Sequence, residues 1–164
     1  MPAPTAPLKL AAVACALLFG GLGIYLAPLQ PSVVALQFTF TPNAFAQVLQ
    51  AWGPEGVQRF RTHLAVDGLL LLSYSAAGYL AVARTRVFRP LATWLPLRWV
   101  ALLLPLAALC DAGENLLHWG LTQGDALAAP SGATWYLVAG LCAAFKWVGI
   151  AVFALSAVIA RLRC

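Results

Sequence analysis

Hydrophobic positions along the chain gather into four long runs, separated by short polar stretches marked by proline. The first run, residues 10–29, carries no charge and lies between Lys9 and the pair Pro28 and Pro31. About twenty apolar residues suffice to cross a bilayer as a helix. Pro28, directly after Ala27, disfavours signal-peptide cleavage there, so the run reads as a retained first span. Val33 to Thr41 then alternates, with Gln37, Thr39 and Thr41 set against Phe38 and Phe40, which predicts an extended segment. Thr41-Pro42 supplies a helix N-cap and a first-turn proline. Phe45, Val48, Leu49 and Trp52 follow at i, i+3, i+4 and i+7, and Gly53-Pro54 ends the stripe. This pattern predicts a short amphipathic helix in the first external loop, lying on the membrane surface or as a lid over the bundle, with the lack of a basic face favouring the lid. A second short helix is expected from Glu55 to Arg61.

Three more spans follow, over residues 64–83, 99–121 and 133–160. Pro105 inside the third is expected to kink it, and Lys146 interrupts the fourth. Arg84, Arg86, Arg89 and Arg98, with Pro90 and Pro96, make a basic connection between spans two and three. Residues 122–132 form a polar loop. The fold class expected is all-α: a four-helix transmembrane bundle in which residues 1–164 form a single membrane domain, with no internal repeat.

Composition supports a membrane protein and excludes the usual soluble classes. The chain is 62% hydrophobic and only 9% charged, with a mean hydropathy of +0.85, whereas a soluble domain carries roughly a quarter charged residues. The net charge of +5 comes from arginines beside the spans and does not indicate nucleic-acid binding. Those arginines set the orientation. Lys9, Arg84, Arg86, Arg89, Arg98, Arg161 and Arg163 flank one side, and only Arg59 and Arg61 the other. The positive-inside rule then places both termini in the cytoplasm. Cys15, Cys110, Cys142 and Cys164 form no CxxC pair and read as small buried hydrophobes. Trp52, Trp119 and Trp135 read as interfacial anchors.

Against this apolar background one stretch of the third span stands out. Asp111, Glu114, Asn115 and His118, spaced i, i+3, i+4 and i+7, share one helix face. Ionisable groups inside a membrane are costly and usually mark a functional site. In the second span His63, Asp67, Tyr74 and Gly78 share a face by the same rule. The predicted topology aligns these residues in depth. His63, Asp67 and His118 lie near the outer surface, and Tyr74, Asp111 and Lys146 near the middle. Lys146 is the natural partner of Asp111, because an unpaired ammonium there would be expensive. Asp67, Asp111 and Glu114 then outnumber Lys146, leaving negative charge that protons or a cationic ligand must offset.

Three readings follow. In the first, an outward-opening cavity between spans two, three and four binds an amphipathic or lipid-like small molecule, with Asp67, Tyr74, Asn115, His118 and Lys146 as binding residues. In the second, Glu114 and Asp111 act as general acid/base on a lipidic substrate in the membrane. In the third, the polar residues only fix helix packing. His63, Asp67, Glu114 and His118 offer two i, i+4 pairs that could ligate a divalent metal. The spacing is common by chance, and no tightly held metal or cofactor is expected. Membrane lipids are the expected partners.

The segments Phe38-Thr39-Phe40-Thr41-Pro42 and Trp52-Gly53-Pro54-Glu55-Gly56, with Asp67, Tyr74 and Asp111-x-x-Glu114-Asn115, resemble a family of small four-span bacterial membrane proteins. The likeness covers residues 36–118, and Asp-x-x-Glu-Asn is its most specific part. It implies the four-helix architecture, a bacterial inner-membrane location and an importance for Asp67, Asp111, Glu114 and Asn115, and carries no activity with it. A looser likeness, of site chemistry alone, is to the four-span emopamil-binding and sigma-2 class.

Overall fold

The computed structural model describes residues 5–123 and 132–163; most of the expected loop over 122–132 lies outside the described residues. The four apolar runs are helices: α1 (Ala6–Leu26), α3 (Pro42–Arg84), α4 (Leu97–Leu121) and α5 (Ala133–Leu162), with a short α2 (Val33–Gln37) between the first two. No strand occurs among the described residues. Each of the four long helices is long and apolar enough to cross a membrane.

The predicted extended segment is instead helical over Val33–Gln37. Ser32 caps it, its side chain accepting from the Ala35 amide, and the helical spacing buries Leu36 completely. The alternation seen in the sequence belongs only to the residues after this turn. The two short helices expected before span two form one element with it. Thr41 caps α3 by accepting from the Ala44 amide at 3.3 Å, and helix runs from Pro42 to Arg84 across a kink at Gly53. Gly53 stands at φ 64°, ψ −179°, a region open essentially only to glycine. Pro54 starts the second arm, where its missing N–H costs nothing. α4 runs through Pro105 as one helix.

The helices pack in sequence order: α1 lies along α3, α3 along α4 and α4 along α5. Among the described residues α1 and α5 share no extended contact, so the bundle is an arc with a gap between its first and last members. Two apolar clusters close its ends. One gathers Leu29 and Leu36 with the Phe45, Val48, Leu49 and Trp52 stripe of α3, Phe60, Leu64, Leu121 and Tyr136. The other gathers Val82, Val100, Ala101 and Ala160 with Phe88 and Leu91. These last two come from the connection after α3, which contains a 3₁₀ turn over Arg89–Leu91. At Gly78 the helices α3 and α4 approach so closely that an added Cβ would lie 2.5 Å from Leu104 Cδ1.

The outer surfaces of the helices are apolar. Leu72 of α3, Leu109 and Leu116 of α4 and Phe145 of α5 all point outward, and α1 buries no residue. Arginine–aromatic pairs sit at both ends of the bundle. Arg59 lies over Tyr25 and Arg61 over Trp119 at one end, and Arg98 over Trp99 and Arg163 over Trp94 at the other. Such rings and cations are at home at the edges of a hydrocarbon layer.

Candidate functional site

The polar residues of α3, α4 and α5 occupy the layer between the two apolar clusters. By helix rise Tyr74 lies about 15 Å from the Arg84 end of α3, and Asp111 about 21 Å from the Leu97 end of α4 that packs beside it, a difference the long tyrosine side chain spans. Antiparallel packing of α3 on α4 brings them together, and the Tyr74 hydroxyl donates to Asp111 Oδ2 at 3.2 Å. One layer toward the Leu121 end, Asn115 Nδ2 donates to Asp67 Oδ2 at 2.6 Å. From α5, Lys146 Nζ reaches Asp111 Oδ1 at 2.9 Å and Glu114 Oε2 at 2.6 Å. The pairing of Lys146 with Asp111 expected from their depth is present. The tighter contact to Glu114 has a simple helical origin: Glu114 sits one turn beyond Asp111 on the same face, so one ammonium spans both.

Burial grades these groups. Glu114 is 0% exposed, His118 2% and Lys146 3%. Glu114 Oε1 faces His118 Nδ1 at 3.6 Å, beyond hydrogen-bond range, and has no hydrogen-bond partner. His118 is enclosed by rings, stacked on Phe45 with centroids 5.7 Å apart and edge-on to Phe60 at 5.8 Å. The Nδ1 of His63 bonds to the Phe60 carbonyl oxygen, and among the described residues His63 makes no hydrogen bond or ion pair with Asp67. His63, Asp67, Glu114 and His118 therefore do not gather into a metal site, and no group of three or more His, Cys, Asp or Glu suited to a metal ion occurs among the described residues.

A cavity of about 570 Å³ adjoins this layer, within the range of roughly 300–1,000 Å³ typical of small-molecule sites. His63, Asp67, Tyr74, Asp111 and Lys146 form its polar floor. Cys15, Phe19 and Leu22 of α1, and Trp147 and Ile150 of α5, form its walls, and α2 lines it through Val33, Val34 and Gln37. Glu114, Asn115 and His118 do not line it. Glu114 touches Lys146 from behind the floor, Asn115 holds Asp67, and His118 lies beyond Glu114. The cavity thus occupies the gap between α1 and α5, whereas the sequence suggested a space bounded by spans two, three and four alone.

Two functional features went unread in the sequence. The first is α1, which after Lys9 has no charged residue to mark it as a cavity wall. The second is the bond from Trp147 Nε1 to Gln37 Oε1, 3.0 Å long, which ties α2 to α5 beside the cavity. An indole far from a span end needs an acceptor, and its position beside Lys146 was the available signal. Comparison with known proteins gives no matching family model, no matching curated protein and no matching solved structure, so the functional reading rests on this chain's own side chains.

Proposed function

We propose that this is an integral membrane protein, with both termini cytoplasmic, in a bacterial inner membrane, that binds an amphipathic or lipid-like molecule between α1 and α5. The observation that carries this reading is the cavity itself: apolar walls from α1, α2 and α5 over a floor of Asp67, Tyr74, Asp111 and Lys146. Such a site suits a molecule with one polar end and one apolar end, and the gap between α1 and α5 gives it a route from the lipid. The first arm of α3 and α2 lie across the outer end in this arrangement, the arm being the amphipathic element of the external loop.

Filling the cavity tests the reading. Wild type and an Ile150→Trp variant, purified in the same mild detergent, are compared by mass spectrometry of co-purifying lipids. A species retained by wild type and lost from the filled variant is expected. Identical lipid profiles from two equally folded proteins would refute cavity binding.

One observation favours a second reading, an enzyme using Asp111 as general acid/base on a lipidic substrate. The Tyr74–Asp111 hydrogen bond lies at the cavity surface, where an acid/base pair could meet a bound head group. Glu114, sealed behind Lys146, would then be a positioning residue.

A further inference from the structure

The cavity floor divides into groups already used and groups left over. Lys146 is held by two carboxylates, Asp111 at 2.9 Å and Glu114 at 2.6 Å. Asp111 Oδ2 accepts from Tyr74. What remains on the α3 side is a pair of acceptors. Asp67 uses Oδ2 to accept from Asn115, and its Oδ1 has no hydrogen-bond partner among the described residues. The Nδ1 of His63 meets a carbonyl oxygen, which can only accept. In the neutral imidazole Nδ1 therefore carries the hydrogen, and Nε2 is a free acceptor. His63 and Asp67 lie one helical turn apart, about 6 Å along the axis, and both line the cavity. Charge points the same way. Three carboxylates, Asp67, Asp111 and Glu114, share this layer with the single ammonium of Lys146, an excess that either protons or a cationic ligand must offset.

We propose that the cavity takes an amphiphile whose head is a primary ammonium, its N–H groups donated to Asp67 and His63 and its chain lying between α1 and α5. This proposal rests on the reading of the cavity as a ligand site. A primary ammonium brings several donors and a positive charge, so it satisfies both acceptors and offsets the excess negative charge. A hydroxyl brings one donor and no charge. A quaternary ammonium brings charge and no donor. A carboxylate head would repel Asp67 and find Lys146 already held by two oxygens.

The test uses dodecyl probes that share a photoreactive diazirine on the chain and differ only in the head: ammonium, trimethylammonium, hydroxyl or carboxylate. Full-length protein in lipid nanodiscs is irradiated with each, and adducts are mapped by mass spectrometry. The ammonium probe should label the cavity-facing residues of α1 and α5 at about tenfold lower concentration than the others, as expected for one charge-assisted hydrogen bond. Asp67→Asn should remove most of that advantage, and the head series on wild type decides the matter if the variant does not fold. Equal labelling by trimethylammonium or hydroxyl, or stronger labelling by carboxylate, overturns the head assignment and leaves the cavity reading standing. If no probe labels cavity residues, both fall together.

Discussion

Lys146 is shared by two carboxylates, and that sharing sets an unequal pattern of costs. At 2.9 and 2.6 Å and an effective dielectric of about 20, each pair attracts by about 6 kcal/mol before desolvation is counted. Lys146→Met removes both attractions and leaves two buried carboxylates without a cation, which should cost about 3–5 kcal/mol. Asp111→Asn leaves Lys146 paired with Glu114, and Glu114→Gln leaves it paired with Asp111. Asp111→Asn loses a charge-assisted hydrogen bond and Glu114→Gln an ion pair, and each should cost about 1.5–3 kcal/mol. The triple variant Lys146→Met/Asp111→Asn/Glu114→Gln leaves no orphan charge, so it should be more stable than the sum of the three singles implies, with a coupling of about 0.5–3 kcal/mol per pair. Unfolding by SDS in mixed micelles, followed by circular dichroism, measures all four variants against wild type. If Lys146→Met is as mild as either carboxylate variant, or the losses simply add, the shared ammonium is wrong.

Two further predictions bear on architecture. Gly53→Ala should destabilise the protein by about 1–3 kcal/mol in the same assay, although an added Cβ there meets nothing within 4 Å. A neutral result would mean that the bend in α3 does not depend on the Gly53 backbone. For orientation, a cysteine introduced at the exposed Gln47 in a cysteine-free background should react with a membrane-impermeant reagent in intact cells. Labelling only after permeabilisation would reverse the assigned orientation.

The long elements were legible because burial of apolar side chains dictates them directly. Four runs of apolar residues gave four helices, and the caps at Thr41 and Pro42 stand where their chemistry put them. The meeting of Asp111 and Lys146 was also legible, since their depths were fixed by helix rise and charge pairing does the rest. Continuity across Gly53-Pro54 was not. A glycine and a proline read locally as a stop, yet a left-handed glycine followed by a first-turn proline also permits a bend between two arms of one helix. Leu36 was missed because its burial depends on what lies over α2, which no local pattern records. The cavity needed still more, because its shape follows from α1 and α5 sharing no extended contact among the described residues, a property of the whole packing that neither helix carries in its residues.

That each long helix packs chiefly on its neighbour in the sequence has a consequence for how the protein is made. Contacts between successive helices are short in chain separation and form without waiting for distant segments, and domains emerge N-terminal end first during synthesis. In a membrane, α3 and α4 can thus dock as a hairpin as soon as both are inserted, joining Tyr74 to Asp111 and Asn115 to Asp67. At that moment Asp111 and Glu114 have no cation. α5 follows α3 and α4 in the chain and brings Lys146, so the newborn hairpin holds its carboxylates uncompensated until α5 arrives, and the arrival of a single ammonium completes the floor of the cavity.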